Sequence, residues 1–83
     1  MKVMKFYAPW CGQCKILAKE FERNIITVPI ENINADDEDD LVDKYNIRSL
    51  PTTILIDNNS KELFRWHGFI KSEDINNKIN ECK

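Results

Sequence analysis

Long apolar runs, internal repeats, linkers and a surplus of one charge sign are all missing from this 83-residue sequence. Without an unbroken apolar stretch of about 18 residues, no transmembrane helix is expected. Net charge is only −2 although 31% of residues are charged. That balance argues against nucleic acid or a membrane surface as the main partner and predicts a soluble, monomeric globular protein. Histidine occurs once and cysteine three times. Three thiols cannot all pair within one molecule, whereas a small secreted scaffold carries an even set, so a reducing compartment with one working dithiol is expected. The strand pattern starts almost directly after Met1, with no apolar leader or cleavage site, and the expected location is cytoplasmic. At this length the chain, residues 1–83, is read as one domain whose small core needs every apolar element.

What is present centres on Trp10-Cys11-Gly12-Gln13-Cys14-Lys15. Two cysteines separated by two residues, where an apolar strand passes into a helical pattern, form a disulfide-exchange motif rather than a structural staple. With Cys14 on the first helical turn, both thiols share one face and approach the Cα separation of roughly 4.4–6.8 Å that a disulfide requires. A Cys-x-x-Cys pair alone is also half of a zinc site. The remaining soft ligands, His67 and Cys82, are distant in sequence and lack paired spacing, so no metal is expected.

Lys2 to Ala8 is apolar on both alternating faces, as in a central strand covered on each side, and Pro9-Trp10 ends it. Cys14, Leu17, Ala18 and Phe21 follow helical spacing, so a helix of about three turns runs from Cys11 to near Asn24. Ile25 to Ile33 is rich in β-branched residues but contains Pro29, which marks an edge strand, parallel to the first through a right-handed crossover. The acidic run Asp36 to Asp40 reads as a solvated helix start, and Leu41, Val42 and Tyr45 give the short helix its apolar stripe. Ile47 to Pro51 is a loop and Thr52 to Ile56 a strand buried on both faces. Asp57-Asn58-Asn59-Ser60 then turns a hairpin into Glu62 to His67. Gly68 breaks that strand. Ser72 is the expected N-cap of a last helix whose apolar face is Ile75, Ile79 and Cys82. On this reading Cys82 is a small buried side chain, and Phe64 and Trp66 belong to the core.

These residues resemble the thioredoxin superfamily, thioredoxin proper more than glutaredoxin. Three stretches carry the resemblance: Phe6 to Lys15, similar to the active-site strand, turn and helix start; Tyr45 to Thr52, similar to the segment whose proline is cis and faces the dithiol; and Gly68 after the last strand. The resemblance implies an α/β class and a minimal thioredoxin fold, β-α-β-α-β-β-α, with a four-stranded mixed sheet and helices on both faces. The N-terminal strand and helix of longer members have no counterpart here, which agrees with Pro29 on an exposed edge. The implied function is a thiol-disulfide oxidoreductase that reduces protein disulfides, with Cys11 as nucleophile and Cys14 as resolving thiol. The redox-active Cys11–Cys14 disulfide is the only cofactor implied. The implied partners are disulfide-containing proteins and an external reductase such as thioredoxin reductase, or glutathione. Trp10, Gly12, Leu50, Pro51, Thr52 and Gly68 would form the substrate groove. Two rival readings are a thioredoxin-fold docking module without turnover and a glutathione-dependent, glutaredoxin-like reductase. Pro51 taken alone is an ordinary trans proline opening a strand, and for Trp10, read as an exposed aromatic wall of the groove, the alternative is a buried packing role.

Three departures from the family pattern concern tuning. Gln13 stands where proline is usual, restoring a backbone N–H that could donate to a Cys11 thiolate and favour the reduced form. Lys5 replaces a buried aspartate, and Asn32 matches the position of that aspartate's lysine partner. Lys5 is read either as a buried cation or base serving the thiols, or as a side chain that snorkels to the surface. Only Gly68 precedes the last helix, where a glutaredoxin shows a glycine pair, so glutathione is the less favoured reductant.

Overall fold

The computed structural model describes all 83 residues. Strand β1 (Lys2–Tyr7) lies inside a four-stranded sheet because Val3, Met4 and Phe6 leave neither face polar enough for solvent. Helix α1 (Gly12–Arg23) crosses over to β2 (Ile30–Asn34), which pairs parallel to β1 with Lys5 opposite Asn32. After α2 (Asp39–Lys44), β3 (Thr52–Ile56) runs antiparallel along the other side of β1. A hairpin then adds β4 (Glu62–His67), and α3 (Ser72–Glu81) ends the chain's regular structure. The strand order is β2-β1-β3-β4. All five residues of β3 are buried, Ile54, Leu55 and Ile56 with the β-branched Thr52 and Thr53, as expected for a strand covered on both faces.

Alternation along β1 sorts the core into two layers. Met4 and Phe6 point with Ile33, Ile54 and Ile56 toward Tyr45, Leu41 and Val42, which places α2 on that face. Val3 points with Leu55 toward Phe21 of α1 and Ile75 and Ile79 of α3 on the other. Helices therefore cover both faces of the sheet.

Several local expectations are corrected. The second strand is Ile30–Asn34, shorter than Ile25–Ile33, because Pro29 has no amide to enter the ladder. Its carbonyl instead accepts the Val3 N–H at 2.9 Å, and pairing starts one residue later. The strand is still the sheet's outer one. Ser72 is the first residue of α3 and not its N-cap. Lys71 holds that position without a side-chain cap, and the Ser72 N–H donates to Glu20 Oε2 of α1 at 2.9 Å. Cys82 is exposed because α3 stops at Glu81, which leaves it beyond the buried stripe of Ile75 and Ile79. Phe64 is 40% exposed and Trp66 half-buried, since β4 is the other outer strand. Their rings meet at 4.9 Å between centroids, and Lys78 Nζ sits 4.3 Å above Phe64. Only Asp39 and Asp40 of the acidic run lie in the first turn of α2; Asp36 precedes the helix.

Candidate active site

Cys11 is the N-cap of α1, in extended backbone conformation, and its Sγ accepts the Cys14 N–H at 3.2 Å. The cysteines are joined as a disulfide with their Cα atoms 5.3 Å apart, within the range expected from the first helical turn. Sulfur thus takes the place that a serine or aspartate oxygen usually fills at a helix start. There, orphan amides and the helix dipole favour a negative charge. Cys11 and Cys14 pack with Ala8, and Tyr7 and Leu50 close over them. That packing leaves Cys11 8% and Cys14 4% exposed, so position on the helix distinguishes the two sulfurs more than accessibility does. Gln13 is exposed on the first turn, and the amide that donates to Cys11 Sγ is that of Cys14.

The segment before β3 faces this pair. The Leu50–Pro51 bond is cis, and Leu50 lies against the cluster of Ala8, Cys11 and Cys14. Gly68 donates its N–H to the Pro51 carbonyl at 2.9 Å and has φ 76°, a left-handed conformation that other residues adopt only with strain. Thr52 is fully buried between Phe6 and His67, with its hydroxyl donating to the Ser49 carbonyl at 2.7 Å. His67 Nδ1 lies 3.4 Å from that hydroxyl and 3.5 Å from Ser49 Oγ, on the outer strand. Gly12 is exposed, with open space around it. Trp10 is 71% exposed, and its indole N–H donates to Asp36 Oδ2 at 3.0 Å. The role of Asp36 escaped the sequence reading, because the two residues are 26 positions apart and no local pattern links them. Asn34 positions Asp36 by accepting its N–H at 3.0 Å.

Lys5 is 7% exposed and lines a cleft together with Cys14. Its strand position points it under α1, where Nζ lies 5.8 Å from the Tyr7 ring centroid and 5.6 Å from that of Phe21. The ion pairs of the molecule, Lys2–Glu31, Glu62–Arg65 and Lys78–Glu81, leave Lys5 without a carboxylate partner. Burial pushes its pKa below the usual lysine value, while the charge of Glu22 opposes that shift. A cleft of about 510 Å³ opens here, lined by Lys5, Tyr7, Cys14, Phe21, Glu22 and Asn32 among others. No three His, Cys, Asp or Glu side chains converge as metal ligands would.

Known proteins resemble this chain in sequence and in fold. The family profile described as Thioredoxin matches residues 1–81. Thioredoxin of Mycoplasma pneumoniae is 36% identical over 76 residues, which cover 88% of this chain and 74% of that protein. Protein disulfide isomerase-like 1-2 of Oryza sativa is 37% identical over 82 residues, spanning 88% of this chain but 16% of that longer protein. Among solved structures, thioredoxin-2 of the malaria parasite superposes with a TM-score of 0.81 at 27% identity, covering 96% of this chain and 81% of its own.

Proposed function

Given that the chain belongs to the thioredoxin family and is a thiol-disulfide oxidoreductase, we propose that it acts as a monomeric, single-domain electron carrier that reduces protein disulfides in the cytoplasm. The observation that carries this reading is the disulfide at the start of α1, faced by the cis Leu50–Pro51 bond. In the reduced state, the Cys11 thiolate attacks one sulfur of a substrate disulfide and the other sulfur leaves as thiolate. Cys14 then attacks Cys11 Sγ, which closes the Cys11–Cys14 bond and releases the second substrate thiolate. Two electrons have moved to the substrate, and the pair within the chain is the only redox group needed. Trp10, Gly12, Leu50, Pro51, Thr52 and Gly68 form the groove in this reading, Thr52 through its backbone. An external reductase of the thioredoxin reductase type recycles the disulfide, with glutathione as the alternative donor.

Insulin-disulfide reduction driven by dithiothreitol tests the reading. Wild type is expected to turn over and Cys11→Ser to lose activity; a silent wild type would favour a docking module. Replacing dithiothreitol by thioredoxin reductase or by glutathione identifies the donor. Substrates are identified as the proteins that stay covalently bound to Cys11 of Cys14→Ser in cell extract.

A further inference from the structure

A buried lysine without a partner costs stability that an apolar side chain of the same length would not. Lys5 is such a residue, and its surroundings show what the cost can serve. In cross-strand register it is flanked by Asn32 on β2 and Thr53 on β3, a polar row under α1 where apolar side chains would otherwise pack. Thr53 is fully buried and its hydroxyl has no hydrogen-bond partner. Cys14, Ala18 and Phe21 of α1 form the roof over the same cleft, so Lys5 and Cys14 line one space. Cys14 is 4% exposed, with Cys11 and Ala8 packed against it. At about 510 Å³ the cleft has room for water, whose share of liquid volume is roughly 30 Å³, and so offers its proton a path.

We propose that Lys5 is a positioning residue for the second half-reaction, taking up the Cys14 thiol proton through cleft water and then holding the Cys14 thiolate as an ammonium. The proposal rests on the reading of Cys14 as the resolving thiol. Its balance is simple. Cys14–SH and Lys5–NH2 become Cys14–S⁻ and Lys5–NH3⁺. The thiolate's electron pair forms the bond to Cys11 Sγ, the bond from Cys11 to substrate breaks, and the pair leaves on the substrate sulfur. The proton on Lys5 then returns through the cleft to solvent or to that leaving thiolate. Other groups face Lys5 from each neighbouring element: Tyr7 on β1, Asn32 on β2, Thr53 on β3, and Lys15 and Glu22 with Cys14 on α1. Glu22 is the one carboxylate among them and favours the ammonium. Burial lowers the pKa of the amine below the ordinary lysine value, which narrows the gap to a thiol, while Glu22 opposes that shift.

The test uses Ellman's reagent in a Cys82→Ser background, because Cys82 is exposed. Reduced protein releases thionitrobenzoate twice, first when Cys11 attacks and again when Cys14 resolves the mixed disulfide. Lys5→Met should slow the second release about tenfold at neutral pH, move its rising limb to higher pH and leave the first release unchanged; one pKa unit corresponds to that factor. In Cys11→Ser, the ultraviolet thiolate titration of Cys14 should shift upward by a similar factor on Lys5→Met, and Lys5→Arg should restore it by returning the cation. A second release and a Cys14 titration that match wild type would overturn the proposal. NMR titration of the Lys5 side chain in wild type needs no variant at Lys5. It should change between the oxidised and reduced forms, and an identical curve in both would also overturn the proposal. Failure of wild type to reduce insulin would strike the oxidoreductase reading instead, and the two failures are read from different experiments.

Discussion

At Lys5 the direction of pH dependence follows from burial. Its pKa is lowered in the folded chain, so between that value and the ordinary lysine value the unfolded state binds more protons, and stability rises with pH across that window. Below the window, the cost of the buried charge is present in full. Lys5→Met should therefore stabilise the protein at neutral pH by about 1 kcal/mol, seen as a melting temperature ~4–8 °C higher, with the gain shrinking as pH is raised. Gln13 works on the other side of the dithiol. Proline is tolerated in the first turn of a helix but brings no amide. Gln13→Pro thus removes one amide from the positive end of α1 without breaking the helix and leaves the Cys14 N–H as the direct donor to Cys11 Sγ. Equilibration with glutathione should show the variant to be more reducing than wild type; an equal or less reducing variant would count against a role for that amide. Gly68 contributes through its backbone: the left-handed conformation lets its N–H reach the Pro51 carbonyl and keeps the cis segment against the cysteines.

Among the elements, α1 and α3 are tied by a single carboxylate. Glu20 of α1 accepts the Ser72 N–H and so satisfies one of the orphan amides at the start of α3. Glu20→Ala should cost about 1 kcal/mol in urea unfolding and speed hydrogen exchange in the first turn of α3 before the sheet is affected. Asn76 extends the tie to the connection before β2: its side chain donates to the Ile25 carbonyl at 2.8 Å and accepts the Thr27 N–H at 3.0 Å. The β3–β4 turn is held by Asp57, whose Oδ1 accepts the N–H groups of Asn59 at 2.8 Å and Lys61 at 2.9 Å. The bond from Lys61, followed by that from Asn59, holds its carboxyl below the usual range. The turn's contribution is therefore present above the ordinary carboxylate pKa and lost as pH falls through the lower folded value. Amide exchange at Asn59 and Lys61, corrected for intrinsic rates, should accelerate on acidification in wild type and be already fast in Asp57→Ala.

Across the whole molecule, α2 is the most weakly anchored helix, with no fully buried residue of its own. Arg65 of β4 compensates by donating Nη2 to the Tyr45 carbonyl at the end of α2 at 2.6 Å, while Glu62 holds the guanidinium through two bonds of 2.9 and 2.7 Å. Arg65→Ala should lower stability by about 1–3 kcal/mol and release α2 first in hydrogen exchange. The sequence by itself determined the element order, the buried β3, the hairpin turn and the dithiol at a helix start, because each follows from the spacing of residues a few positions apart. The cis proline and Gly68 were legible only when joined to Cys11 and Cys14 through the family resemblance, since neither is distinctive alone. Tertiary structure decided the rest. The start of β2 depended on which amide could pair with Pro29's neighbour strand, and the exposure of Phe64 and Cys82 on how far the outer strand and last helix reach. Trp10 met Asp36, Glu20 met Ser72 across 52 residues, and Lys5 came to share a cleft with Cys14. Such contacts arise only after the sheet and helices have packed, because side-chain periodicity records which face a residue occupies and not which distant group will face it.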